Sequence, residues 1–263
     1  METNQLKDKA EAFLMTVQRN RLRPNFWMSR EYLEKAEAEY VNVNGVEGFV
    51  QNDVIGEWFF PPIKDNIFQY DNDIYCGFVS QIKYDLYGLG KNATFLDHQF
   101  IYKASNFEDL SGGSWKVFRK NIRKYIKTNP EKLTYRPLLG NAYRRQVEHL
   151  LLLWTDKREL YDPDVLVRFV VDGEHREGLF LQDKLVGLNV WDENYHFVNY
   201  RYCIDNGSPF LNELMRYRFY MGKQGKLIND GGSLDNPLLY KFKMKLNPMW
   251  VGYVFNSKRK DTV

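Results

Sequence analysis

The chain has 263 residues, 44% hydrophobic and 27% charged, with a formal net charge of +3. That length suits one large domain or two small packed ones with a real core, and so small a charge gives no whole-chain case for a nucleic-acid or membrane partner. No stretch approaches the roughly 18 apolar residues that span a bilayer, and the amino terminus METNQLKDKAEAF carries no leader pattern, so a cytoplasmic chain without a transmembrane segment is expected.

Leu6, Ala10, Phe13, Leu14 and Val17 fall at helical spacing among charged residues, which predicts an amphipathic helix from Gln5 to about Val17, ended by Pro24. AEYVNVNGVEGFVQNDVIGEWFFPP then reads as three short strands turned by Asn-Gly and Asn-Asp. A second β-rich patch, DIYCGFVSQIKYDLYG, leads into a loop-like run through SNFEDLSGG. Near Ser114, a candidate N-cap, a strong helix begins. Trp115, Phe118, Ile122 and Tyr125 recur at helical spacing, and Lys116, Arg119, Lys120, Arg123, Lys124 and Lys127 fill the other faces. YRPLLG links it to a helix from Asn141 to about Trp154.

EGLFLQDKLVGLNVWDENYHFVNYRYCI follows, three β-type runs separated by Asp183-Lys184 and Glu193-Asn194, an antiparallel meander. After it come a DNGS turn, a helix from Pro209 to about Met221, the strand KLIND, a glycine turn, a helix from Pro237 to about Leu246, and the strand MWVGYVF. Both prolines stand at the expected first helical position. The basic tail NSKRKDTV is expected to fray.

Cys76 and Cys203 lie in aromatic, apolar strings and read as small buried hydrophobes, not as a disulfide or a nucleophile. His98, His149, His175 and His196 show no metal-ligand spacing, so no metal is assigned.

The order meander, turn, helix, strand, helix, strand resembles that of the GNAT acyltransferase superfamily. Two segments resemble one branch of it, which contains the C-terminal domain of phosphatidylglycerol lysyltransferases and the Fem-type peptidoglycan aminoacyltransferases. SWKVFRKNIRKYIKTNP is similar to the basic helix between the halves of those proteins, and GGSLDNPLLYKFKMKLNP to their glycine turn followed by Leu-x-x-Phe-Lys-x-Lys-Phe. The resemblance implies an α+β fold of two tandem GNAT-like units, with a mixed, mostly antiparallel sheet flanked by helices. Residues 1–112 would form a degenerate N-terminal half, and residues 113–263 the C-terminal half with its connecting basic helix. It also implies transfer of an acyl or aminoacyl group from an activated donor, acyl-CoA or aminoacyl-tRNA, to an amine acceptor.

Candidate residues follow. The turn carrying Gly207 and Ser208 sits where GNAT enzymes hold the donor's pyrophosphate on backbone amides at a helix N-terminus. It departs from the superfamily's glycine-rich loop, which puts coenzyme A in doubt, and a plain turn capped by Ser208 or Asp205 is the alternative. Six cations in twelve residues, with no acid from Ser111 to Pro130, make a positive helix able to hold a polyanion such as tRNA. Arg119 and Arg123, four apart, are the candidates for bidentate phosphate contacts, with Lys120 beside them.

Lys241 and Lys245 share a helix side while Lys243 stands apart. The resemblance points at Phe242 and Lys243 beside the transferred group, where an ammonium could stabilise the tetrahedral oxyanion. Tyr240 is a candidate acid for the leaving group, and Asp230 and Asp205, each ending a strand, are candidate bases or else cap and turn residues. Gly231 and Gly232 mark a close approach of chain and substrate. A nucleic-acid-binding module on the same fold, using the basic helix and exposed aromatics, is the reading from another class.

Overall fold

The computed structural model describes residues 3–19, 26–43, 46–53, 56–60, 75–80, 93–156, 158, 160 and 162–257. Two helices come first. α1 (Thr3–Arg19) buries Ala10, Phe13 and Val17, and α2 (Arg30–Lys35) is capped by Ser29, whose hydroxyl accepts from the Tyr32 amide. Then come β1 (Glu39–Val43), β2 (Val46–Asp53), β3 (Gly56–Phe60), β4 (Tyr75–Ser80) and β5 (Ala93–Lys103). A 3-10 turn (Ala104–Phe107) leads to α3 (Lys116–Thr128), β6 (Leu133–Pro137), α4 (Arg144–Thr155) and α5 (Pro163–Asp172). The meander is β7 (His175–Leu181), β8 (Lys184–Glu193) and β9 (Phe197–Asp205), followed by α6 (Leu211–Met221), β10 (Leu227–Asn229), α7 (Pro237–Lys245) and β11 (Trp250–Ser257).

Among the described residues the strands form one sheet, in the order β1-β2-β3-β4-β11-β5-β10-β9-β8-β7-β6. Neighbours run antiparallel except β3 with β4 and β9 with β10. The last strand in the chain therefore lies between β4 and β5. One apolar cluster packs α1, α2, α4 and α5 against the sheet. A second, rich in stacked rings such as Tyr200 on Phe219 at 4.2 Å, packs α3, α6 and the 3-10 turn against it. No described helix is long and apolar enough to cross a membrane.

Several local expectations need correction. The run read as loop before SNFEDL contains β5, an eleven-residue strand paired on both sides. The YRPLLG link begins with the last three residues of β6, an edge strand that ends on Pro137, where a missing N–H is tolerated. α5 was not expected, although Asp162 caps it and Pro163 opens it. Trp115, not Ser114, occupies the N-cap position of α3 and supplies no side-chain cap. α6 starts at Leu211, after a left-handed Phe210 with φ of 69°, so Pro209 lies ahead of the helix. Pro237 does open α7, behind an Asn236 cap that accepts from the amides of Leu238 and Leu239. The meander's first turn is Gln182-Asp183, one residue earlier than expected, with Gln182 at φ of 57°. Asn52 and Asp53 belong to β2 itself. Asn44-Gly45, Pro24, all of QIKYDLYG and the end of the basic tail lie outside the described residues.

A buried ion pair ties α2 to the sheet. Asp192 accepts from Ser29 Oγ (2.6 Å), Arg201 Nε (2.7 Å) and Asn199 Nδ2 (2.7 Å). The register shift between β8 and β9 at this point lets Arg201 and Tyr202 both reach the α2 and α5 side, where Phe26 and Tyr32 stack on the guanidinium at 4.2 and 4.6 Å.

Candidate active site

β9 and β10 pair in parallel over Phe197 to Asn199 and Leu227 to Asn229, and there β10 ends while β9 runs on to Asp205. Beyond the last pair, four polar side chains from three elements fill the space between sheet and helices. Asp230, the residue after β10, accepts from Tyr220 Oη at 2.6 Å and from the Arg216 guanidinium, both on α6. From α7, Lys243 Nζ lies 3.4 Å from the other Asp230 carboxylate oxygen. It also donates to the Asp230 carbonyl and, at 2.6 Å, to the Gly232 carbonyl. The Tyr102 hydroxyl from β5 donates to the Lys243 carbonyl at 2.8 Å. Asp230, Arg216, Lys243 and Tyr220 are all buried.

Two cations share one carboxylate in this cluster. Burial opposes the charge on Arg216, but adjacent Asp230 holds the guanidinium above its ordinary pKa. For Lys243 burial wins, and its ammonium is depressed despite Asp230. Tyr220 is raised by burial and by Asp230, so it stays protonated as a donor. Lys243 donates to two backbone carbonyls and pairs with the Asp230 carboxylate, which makes this lysine a clamp on the residues after β10.

What it clamps is the glycine turn. Gly231 has φ of 59°, and a Cβ there would come within 3.0 Å of the Phe26 ring. At Gly232 a Cβ would sit 1.8 Å from Asp97 Oδ2. Asp97, on β5, is buried and accepts from the amides of Ser233 and Leu234, each at 2.9 Å. Asp97 and Lys243 thus hold the turn from opposite directions, through its N–H and its C=O groups.

Beside this turn lies a group the sequence did not single out. His98 Nδ1 is 3.7 Å from Asp97 Oδ1 and is buried with no hydrogen-bond partner. Its ring meets Tyr240 edge-on at 4.9 Å, and Tyr240 in turn contacts Phe100 at 5.4 Å. His98 and Tyr240, both half-buried, adjoin buried Asp97 next to the buried cluster.

Of the residues singled out from sequence, Asp230, Gly231, Gly232, Phe242 and Lys243 converge here. Phe242 lies 5.5 Å from the Arg216 guanidinium, and Tyr240 adjoins the group through His98. The basic helix is elsewhere, against α6. Asn121 donates to Glu213 at 2.8 Å, and Lys124 lies 4.8 Å from the Phe210 ring, so α3 flanks the Gly207-Ser208 turn. Lys120 and Arg123 are exposed, whereas Arg119 turns back to the Leu110 and Gly112 carbonyls. The Gly207 and Ser208 amides donate to the side chains of Asp205 (2.8 Å) and Asn206 (3.1 Å). Asp205 therefore acts as a turn residue, and these two N–H groups are engaged within the chain.

Cys203 is a free, buried thiol on β9, and burial pushes its pKa up to about 12. In a Cys76→Ser background we expect no iodoacetamide labelling of the folded protein at pH 8 and complete labelling in denaturant. Labelling of the native protein at the rate of a free thiol would contradict the buried placement.

No protein-family model matches the sequence, and no curated protein matches it. Solved structures do match its fold. A conserved protein of unknown function from Bacteroides thetaiotaomicron superposes with a TM-score of 0.77 at 16% identity, over 99% of this chain and 98% of that one. L-PGS from Bacillus licheniformis gives 0.68 at 13% identity, covering 97% and 91%. FemX gives 0.64 at 9% identity, covering 95% and 96%. The chain thus has an α+β, GNAT-like fold, shared with L-PGS and FemX.

Proposed function

We propose that the chain is an acyltransferase that passes an aminoacyl group from aminoacyl-tRNA to an amine acceptor, with residues 113–263 supplying most of the reacting centre and residues 1–112 adding Asp97 and His98 from β5. The observation that carries this reading is the clamped glycine turn, where Asp230, Arg216 and Lys243 fix the chain at the point at which β9 and β10 part. The fold shared with L-PGS and FemX supports acyl transfer in general.

In this reading Lys243 and Asp230 are positioning residues, because their polar atoms are engaged with one another and with the turn. Proton traffic falls to Tyr240 and His98. As the acceptor nitrogen attacks the ester carbonyl, His98 takes the amine proton. As the carbon–oxygen bond breaks, the Tyr240 hydroxyl protonates the leaving ribose oxygen, and the phenolate is then reprotonated from water. Holding donor and acceptor in line on a rigid turn supplies the remainder of the acceleration.

The choice of aminoacyl-tRNA over acyl-CoA rests on two features. The amides of Gly207 and Ser208 are engaged by Asp205 and Asn206, which weakens that turn as a pyrophosphate seat. Beside it stands α3 with exposed Lys120, Arg123 and Lys124, suited to a larger polyanion.

Reversing the charges in Lys120→Glu/Arg123→Glu is expected to weaken binding of a labelled aminoacyl-tRNA at least tenfold and to flatten the salt dependence, with the melting temperature unchanged. Steady-state deacylation of the same tRNA with added amines reads the chemistry. Tight tRNA binding without ester consumption would leave a nucleic-acid-binding module. A thermal shift with acyl-CoA and none with tRNA would overturn the donor assignment.

A further inference from the structure

We propose that Glu31, Glu174 and His175 form a site for one divalent transition-metal cation of the zinc type, joining α2 to the start of β7. One ligand atom from each of the three side chains lies within 4.8 Å of the others. Two ligands on one tetrahedral zinc stand about 3.3–3.6 Å apart, so side-chain rotation of roughly 1 Å closes the set, with water as the fourth ligand. The two carboxylates are hard donors, and the borderline imidazole beside them favours zinc over calcium or magnesium, which take oxygen ligands.

Proximity of acids is common on protein surfaces, and the feature that singles this group out is Glu31. It is 4% exposed, and its Oε1 accepts from the Glu174 amide at 2.7 Å while its Oε2 is buried with no hydrogen-bond partner. A buried carboxylate oxygen without donor or counter-ion is costly.

The nearby positive groups make their hydrogen bonds to other partners, although Arg176 Nε and Arg201 Nη1 are themselves buried without one. Arg201 pairs with Asp192, and Lys35 donates to the Asp172 carbonyl at 3.0 Å. Arg176 donates to the Val170, Val171 and Gly140 carbonyls. Arg30 grips both oxygens of Glu174 at 3.1 and 2.9 Å, which fixes that carboxylate while each oxygen keeps a lone pair for a metal. His175 is held by stacking on Trp191 at 5.6 Å and 15° between planes, so its ring is pre-set. From spacing alone no metal is expected, since Glu31 is distant in sequence and meets the adjacent pair Glu174-His175 through packing at Gly173. A Cβ at Gly173 would lie 2.3 Å from the Phe169 carbonyl oxygen and 3.3 Å from Glu31 Oε1.

The full chain, stripped with EDTA and dialysed, is titrated with zinc chloride by calorimetry, with melting temperature and the cobalt(II) visible spectrum read in parallel. We expect one equivalent of zinc, a rise in melting temperature of several degrees, and tetrahedral cobalt bands. Glu31→Gln and His175→Ala should each weaken zinc binding at least a hundredfold and abolish the thermal shift. Glu174→Gln serves as a third probe should His175→Ala fail to fold. If zinc shifts neither the wild type nor Glu31→Gln, or binds both equally, the proposal fails and Glu31 is a neutral buried acid.

Discussion

Replacing Asp230 with asparagine is expected to lower folding stability by about 3–5 kcal/mol, the range for removing one partner of a buried ion pair. Asparagine keeps the shape, so no cavity forms. It removes the one carboxylate that meets Arg216, Lys243 and Tyr220 together. Arg216 cannot lose its proton, so Lys243, already depressed by burial, is the group that neutralises. That sets the sign of the pH dependence. A lysine whose folded-state pKa is depressed binds fewer protons folded than unfolded, so stability rises with pH between its folded value and its ordinary value near 10.5. Denaturant titrations should therefore show the Asp230→Asn deficit largest near neutrality and shrinking towards pH 10. The double variant Asp230→Asn/Lys243→Met should recover part of the loss at neutral pH, because one uncompensated charge has gone. A deficit under 1 kcal/mol, or one that grows with pH, would mean that the cluster is hydrated and that the two cations do not depend on Asp230.

This prediction also changes what a lysine variant can teach. A surface lysine near a reacting centre would be expected to lose turnover on Lys243→Ala with the fold intact. Lys243 is instead buried and bonded to two backbone carbonyls. Its truncation leaves those carbonyls and Asp230 short of a donor, so lost turnover would follow from a slackened turn as readily as from lost catalysis. Variants of Tyr240 and His98, which lie outside the cluster, separate chemistry from stability more cleanly.

Why some of this was legible in the sequence and some was not has a physical basis. The α3 stripe was readable because it buries one face against a core, so period and burial coincide, whereas β8 and β9 bury both faces and the meander showed as β-type runs set apart by turn residues. Helical geometry also separated Lys243 from Lys241 and Lys245, and the latter two are indeed exposed. That Lys243 points inward was less visible, although it falls three residues after Tyr240 and three before buried Leu246, in phase with the core side. Arg216 hid in the same way, one turn before Tyr220 on the inner side of α6. β5 escaped because its buried face carries Asp97 and Gln99, residues that read as loop. Their partners lie far along the chain, Ser233 being 136 residues from Asp97 and Asn229 130 from Gln99. Polar groups buried in matched pairs leave no trace in a hydrophobic pattern, and here they mark both the β5 edge and the site.

Gly232→Ala is expected to be the most damaging single-methyl change in the site. The added Cβ would stand 1.8 Å from Asp97 Oδ2, 2.2 Å from Cγ and 2.7 Å from Oδ1, so the whole carboxylate has to leave. Moving it strips the acceptor from the Ser233 and Leu234 amides and from the His98 amide, bonded at 2.7 Å. An unsatisfied buried amide costs about 1–3 kcal/mol. Counting only the Ser233 and Leu234 amides, such losses predict a destabilisation of about 2–6 kcal/mol for a change that elsewhere is mild. Because the same turn presents its carbonyls to Lys243, turnover should fall even under conditions where the variant is folded. The mechanism is testable by coupling. Asp97→Gly removes the clashing carboxylate, so Gly232→Ala introduced into that background should cost less than 1 kcal/mol more, and the pair should show strong non-additivity in denaturant titrations. Additive effects would mean that the methyl group clashes with something other than Asp97, and the two-sided clamp on the turn would have to be abandoned.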